Sequence, residues 1–264
     1  MTETTDTSPV ILDRDGDTAW IRLNRPGRGN ALTPDLLETL LEALSQCGDA
    51  RAVVLTGQGR AFSSGGDIRE FHARADDPAA LEGFGIAVVS ALNQAILALR
   101  ALPCPTVAAV NGPVTGGAIG LMLACDIGVM SQDAFIQPYY AKMGFAPDGG
   151  WTALLPERIG AARTASWLAL DDRVSALAAF EMGLADRLYP SKDFVDGVRA
   201  ILAGLAEHDP AVAVTARRLL EAREIHDALS TRLERELSAF TRLLVRPETR
   251  ARMAAFLGPR AEAS

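Results

Sequence analysis

Two glycine-bearing segments carry the clearest chemical potential in this chain. They are Ala61-Phe62-Ser63-Ser64-Gly65-Gly66-Asp67 and Asn111-Gly112-Pro113-Val114-Thr115-Gly116-Gly117-Ala118. Each follows an apolar, β-rich run, residues 51–57 before the first and 106–110 before the second. Glycine lets the backbone turn sharply where a helix can begin, which leaves amide N–H groups without intrahelical partners. Two such donors converging on one point would form an oxyanion hole for a carbonyl. Glycines here would also permit plain close packing of two loops, so residue types alone leave both readings open.

The elements that must position these loops are readable in outline. Residues 1–9, rich in Thr and acidic side chains, read as a loose tail without a basic, apolar targeting signal. Ala19-Trp20-Ile21-Arg22-Leu23 alternates like a strand with one buried face. Thr33 reads as an N-cap with Pro34 at the first helical position, and Leu36, Leu37, Leu40, Leu41 and Leu44 follow at helical spacing. Ala52-Val53-Val54-Leu55-Thr56 is apolar enough for a sheet covered on both faces. The polar stretch 74–78 is expected to be a mobile loop, and a long helix is expected from about Gly85 to Leu102. The strand 106–110 leads into the second glycine segment and then a buried helix at Leu121-Met122-Leu123-Ala124. Short strands are expected near 127–130 and 135–137, and Ser175 and Gly183 bracket a further helix.

After Pro190 only helices are expected, with Asp209-Pro210 and Pro247 opening two of them. Strand–turn–helix units followed by a helical tail imply an α/β core, here residues 10–195, and a C-terminal helical region, residues 196–264. Leu219, Leu220, Leu229, Leu233, Leu237, Phe240, Leu243 and Leu244 give that tail more apolar surface than a lone appendage hides, which points to oligomerisation.

Composition narrows the function classes. The 264 residues suffice for a substantial core without metal or disulfide. A net charge of −7 with no basic stripe argues against a nucleic-acid partner. Cys47, Cys104 and Cys125 are odd in number and scattered, which fits reduced thiols in the cytosol. His72, His208 and His226 are scattered too, so neither a metal site nor a His-based triad is expected. No apolar run reaches the roughly 20 residues of a membrane span.

Five ordered motifs resemble the crotonase family, also called the enoyl-CoA hydratase/isomerase superfamily. They are Asn24-Arg25-Pro26 with Asn30-Ala31-Leu32; Ala61-Phe62 through Gly65-Gly66-Asp67-Ile68; Ala109-Val110-Asn111-Gly112 with Gly116-Gly117; Ala124-Cys125-Asp126-Ile127; and Leu154-Leu155-Pro156 with Ile159-Gly160. The resemblance implies a spiral of β-β-α units with a C-terminal helical trimerisation region, a homotrimer or dimer of trimers. It also implies acyl-CoA thioester substrates, with coenzyme A as part of the substrate and no separate cofactor. By family position the N–H groups of Gly66 and Gly117 would bind the thioester oxygen. Ala61, Gly66 and Ile68 would line the adenine–pantetheine groove, and Arg28 and Arg69 sit where CoA phosphates could be met.

The acid–base residues decide which member the chain resembles. Hydration of an enoyl thioester needs water held between two carboxylates. Hydratases of this family carry one Glu where this chain has Gly120 and a second where it has Tyr140. One carboxylate remains, Asp148, in Gly144-Phe145-Ala146-Pro147-Asp148-Gly149-Gly150-Trp151. Sequence physics reads it as the N-cap of a helix starting at Gly150; resemblance to single-Asp isomerases makes it the acid/base, and the two roles are compatible. Among Phe145, Trp151 and Tyr140, desolvation would raise its pKa.

Asp67 reads as a turn and helix-start residue, while Glu70 and Glu82 read as solvated. Tyr139 and Tyr140 are expected to line the acyl pocket, and Phe84, Val88, Phe145 and Trp151 are further candidates for its wall. Asn93 stands where hydrolytic dehalogenases of the family carry His, which argues against dehalogenation. The expected activity is double-bond isomerisation of an enoyl-CoA. The rivals are an atypical hydratase or hydrolase recruiting water through Asp148, and a non-catalytic acyl-CoA binder.

Overall fold

β1 (Val10–Asp15) and β2 (Thr18–Leu23) pair antiparallel, and alternation along β2 presents Ala19, Ile21 and Leu23 inward. A computed structural model of the chain describes residues 8–220 and 223–258. The expected tail therefore lies largely outside the described residues. Its last two residues are pinned, since Asn24 N donates to Pro9 O at 2.7 Å and Asn24 Nδ2 to Ser8 O.

The chain continues through α1 (Pro34–Ser45), β3 (Ala52–Gly57), α2 (Ile68–His72), α3 (Pro78–Ala101), β4 (Thr106–Val110), β5 (Val114–Thr115), α4 (Ile119–Leu123), β6 (Ile127–Ser131), β7 (Phe135–Gln137) and α5 (Tyr140–Met143). Then follow α6 (Leu155–Ile159), α7 (Ala161–Leu170), β8 (Val174–Ser175), α8 (Ala176–Glu181), β9 (Arg187–Tyr189), α9 (Phe194–Ala206), α10 (Pro210–Leu220), α11 (Arg223–Leu244) and α12 (Pro247–Leu257). The main sheet runs β1-β2-β3-β4-β6-β9 and is parallel from β2 onward; a smaller sheet runs β5-β7-β8. This is the mixed α/β fold that the sequence implied.

Apolar strands with both faces covered explain the two cores. Val53, Leu55, Ala108, Val110 and Met130 face the large core under α1 and α3, whereas Val54, Val107, Ala109 and Val129 face α9 through Phe194 and Val198. Thr33 caps α1 as expected, accepting from Leu36 N, and Ser175 caps α8 with Gly183 at positive φ beyond it.

The start of α3 departs from expectation. The 74–78 stretch, expected to be a mobile loop, is a hydrogen-bonded turn into the helix: Asp77 accepts from Ala79 N and Ala80 N, with Pro78 at the first helical position. Gly83 and Gly85 hid these turns from propensity reasoning. Gly85 serves a close approach, since a methyl there would lie 2.4 Å from Leu244 Cδ2 of α11. Contrary to the expectation that no apolar run reaches the length of a membrane span, α3 is long and apolar enough to cross a membrane by length and composition alone. Its buried face packs on α1 and α11, which makes it a core helix.

The tail also differs from expectation. Leu229, Leu233, Phe240 and Leu244 are buried within the chain, packed into the large core beside α3. Leu219 and Leu220 remain exposed on α10.

Candidate active site

The two glycine segments meet because the strands before them are neighbours. β3 and β4 are parallel, so both segments leave at the same edge of the sheet. There Phe62 N and Ser63 N donate to Pro113 O, and Thr115 N donates back to Ser63 O at 3.0 Å. Asn30, held at positive φ, staples the first loop from behind through Nδ2 bonds to Gln58 O and Ala61 O. Leu32 N donates to Gly65 O and Asp67 N to Leu32 O, which leaves the Gly66 N–H between them. Residues 116–118 form a 3-10 turn leading straight into α4. Gly117, at the start of that turn, has no intrahelical partner for its N–H, and around Gly66 the backbone bonds to Leu32 are made by its neighbours Gly65 and Asp67.

Both glycines border a cavity of about 560 Å³. Its wall includes Arg28, Ile68, Arg69, Tyr139, Tyr140, Phe145 and Asp148, and it continues into Phe71, Val88, Leu92, Met143 and Phe240. Ala61 lies outside the lining, its carbonyl engaged by Asn30. Phe84 and Trp151 stand behind the wall rather than in it. Phe84 packs edge-on to Phe71 at 4.9 Å. Trp151 is fully buried and donates to Gly116 O at 2.8 Å, joining the Asp148 turn to the oxyanion turn.

Asp148 is 6% exposed and faces Gly117 so closely that a methyl there would lie 3.1 Å from either carboxylate oxygen. Its side chain makes no capping bond. It accepts instead from the Tyr140 hydroxyl through Oδ1, while the same hydroxyl also reaches Asp148 O at 3.0 Å. Burial pushes the carboxyl up to about 7; Tyr140 opposes this by bonding the charged form, and the nearby Glu236 charge adds to it. Burial also raises the Tyr140 hydroxyl well above its ordinary range, so it stays protonated as a donor.

Tyr140 is itself placed by Asp171, which accepts from Tyr139 N at 2.6 Å and Lys142 N at 2.9 Å, with Tyr139 at positive φ. A hydrogen bond to a charged group is worth about 1.5–3 kcal/mol. Tyr140→Phe should therefore raise the Asp148 pKa and move the rising limb of kcat/KM to higher pH. Turnover would fall at pH 7 and recover at pH 9, and an unmoved limb in a pH–rate profile would contradict the assignment.

The capping expected of Asp148 belongs to Glu236 of α11. It accepts from Gly150 N at 2.8 Å, Thr152 N and Thr152 Oγ1 at 2.6 Å, and Ala153 N at 3.0 Å. Sequence reasoning missed it, although a signal was present: Glu236 interrupts the apolar stripe Leu229, Leu233, Phe240, Leu244 at helical spacing. Asp67 is likewise buried without a capping bond, and pairs with Arg25 at 3.1 Å. Glu70 pairs with Arg74 across one helical turn.

The two glutamates of a hydratase are sterically and chemically displaced. A Cβ at Gly120 would sit 2.2 Å from Gly149 O and 2.5 Å from Ile96 Cδ1. The second position is filled by Tyr140. Asn93 is not part of the cavity wall and donates to Leu233 O.

The profile of the family described as enoyl-CoA hydratase/isomerase matches residues 14–262. A protein named a probable enoyl-CoA hydratase, echA12 of Mycobacterium bovis, is 37% identical over 213 residues, which are 77% of this chain and 73% of that protein. A crystal structure of enoyl-CoA hydratase from Bacillus halodurans superposes with TM-score 0.87 at 26% identity, covering 94% of this chain and all of that one. A monofunctional enoyl CoA isomerase from M. smegmatis superposes with TM-score 0.68 at 30% identity, covering 84% and 99%. With a family profile spanning nearly the whole chain and a fold shared with these enzymes, the protein belongs to the enoyl-CoA hydratase/isomerase family.

Proposed function

We propose that the chain is a cytosolic acyl-CoA isomerase that moves a C=C bond from the β,γ to the α,β position. The thioester oxygen sits between the Gly66 and Gly117 amides. Asp148, as carboxylate, removes the α-proton, and the electron pair moves into a dienolate whose charge the two N–H groups hold. The resulting carboxyl then delivers that proton to the γ-carbon, so no water is consumed. A pKa near 7 suits a group that must both take and return a proton at neutral pH.

One observation carries this reading. Of the two carboxylates in the cavity wall, Asp67 is paired to Arg25, and Asp148 stands against the oxyanion turn without a cationic partner among the described residues. Three buried free thiols fit a reducing compartment, and the exposed Leu219 and Leu220 fit self-association as a trimer or dimer of trimers. Arg28 and Arg69 at the cavity are suited to CoA phosphates.

Names of relatives favour a second reading, hydration. A 3-enoyl-CoA incubated in D₂O and, separately, in ¹⁸O-water distinguishes the two. Isomerisation gives the 2-enoyl-CoA with no heavy oxygen, and with deuterium at the γ-carbon only in the fraction of turnovers in which the Asp148 carboxyl exchanges with solvent before returning its proton. Accumulation of a 3-hydroxyacyl-CoA carrying ¹⁸O would overturn the proposal in favour of hydration. Binding with neither a double-bond shift nor α-proton exchange would reduce the chain to a carrier.

A further inference from the structure

The carboxylate of Glu236 is 4% exposed, has no Lys or Arg bonded to it among the described residues, and accepts four hydrogen bonds from the 150–153 turn. Oε1 accepts three of them and Oε2 the fourth, all from N–H or O–H donors. Four donors favour the charged form of this carboxyl, while burial works against them and raises Glu236 above its ordinary value. Those donors replace the water that a charge buried this deeply has lost. The turn it grips begins two residues after Asp148, and Trp151 within that turn bonds Gly116 O beside the oxyanion glycine.

We infer that Glu236 is a positioning residue for the reaction, through which helix α11 fixes Asp148 against Gly117 and sets how strong a base it is. The inference rests on Asp148 acting as the base, as proposed above. The anion acts on Asp148 in two ways. Its four bonds fix the turn, and thereby the distance from the Asp148 oxygens to the oxyanion site. Its charge opposes ionisation of Asp148, which strengthens the base. The groups facing Asp148 are Tyr140 from α5 and Glu236 from α11; α3 and the 116–118 turn present Leu92 and Gly117, which do not titrate.

Two variants of the full chain separate position from charge. In Glu236→Gln one amide hydrogen faces the Gly150 N–H and the charge is gone. The acid limb of the kcat/KM profile with a 3-enoyl-CoA should move to lower pH, and kcat should fall by about 10²-fold, the scale of a misplaced reacting group. KM should change little, because Glu236 is not in the cavity wall. Glu236→Asp keeps the charge with shorter reach, so kcat should fall while the limb stays in place. A Glu236→Gln enzyme with lowered melting temperature but wild-type kcat and an unmoved limb would show a merely structural role and overturn the inference. If that variant does not fold, Glu236→Asp decides alone: unchanged kcat overturns, and lowered kcat with unchanged KM supports. Asp148→Asn run beside them keeps the two readings apart. Retained turnover there removes the proposed base, whereas an inactive Asp148→Asn beside a wild-type-like Glu236→Gln removes only the role of Glu236.

Discussion

Replacing Asp148 by asparagine is expected to lower turnover of a 3-enoyl-CoA by roughly 10²–10⁴, the usual contribution of a positioned acid/base. Asparagine keeps the volume and can still accept from Tyr140, so the fold should persist while the proton carrier is lost. The same substitution should stabilise the protein, and in a pH-dependent way. In the folded chain the carboxyl titrates at about 7, against an ordinary value of 3.8. A raised carboxyl value means that folding favours the protonated form. That preference is without cost below the ordinary value, and becomes a full penalty once pH exceeds the folded value. Asparagine escapes the penalty, which at about 1.36 kcal/mol per pKa unit reaches roughly 4 kcal/mol above pH 8. Thermal unfolding followed from pH 5 to pH 8.5 should show the melting curves of variant and parent diverging with pH. A variant that is fully active, or destabilised at high pH, would exclude Asp148 as a buried base.

The second large effect is expected from Gly149→Ala. Gly149 has φ +61, and a methyl on it would lie 2.3 Å from Gly117 O and 2.6 Å from Gly117 Cα. Alanine can reach that backbone region at about 1–2 kcal/mol, but the contact with a main-chain carbonyl cannot be relieved by a rotamer change. The Asp148 turn and the oxyanion turn must separate. Activity should then fall by about 10²-fold or more, with about 1–3 kcal/mol of overpacking added to the backbone cost. Gly16→Ala is the control. It shares the positive φ, +57, but meets nothing within 4 Å, and it lies in the turn between β1 and β2. The control should lose only the backbone share of stability and keep full turnover. Equal activity losses in both variants would mean that backbone strain, not the junction of the two turns, underlies the effect.

Much of this arrangement was legible because it is local. The alternation of Ala19 to Leu23, the cap at Thr33-Pro34 and the apolar run in β3 are each decided within a few residues. The glycine loops were legible as a pair because each follows a parallel strand that patterning alone identifies. Contacts reaching across the chain were not. Gly85 reads as a helix breaker until Leu244 is seen against it, 159 residues away. Asp148 reads as a cap until Glu236, 88 residues on, is found taking that role. Ala61, Phe84 and Trp151 were assigned to the cavity by type or family position, yet neighbours hold each of them outside its lining. The tail's leucines looked surplus because their receiving surface is α3, distant in sequence.

The chamber wall includes Gly27, Arg28 and Leu32 as well as Phe240, Phe256 and Leu257, and Phe256 of the last helix packs edge-on to Tyr139, also in that wall. Segments more than two hundred positions apart must therefore be in place together before a thioester has anywhere to dock. Acyl-CoA is in that sense a ligand of the folded chain as a whole, not of one loop. By mass action an occupant at a hundred times its Kd would add about 2.7 kcal/mol against global unfolding. Metabolite supply would thereby govern how long the enzyme survives proteolysis as well as how fast it works.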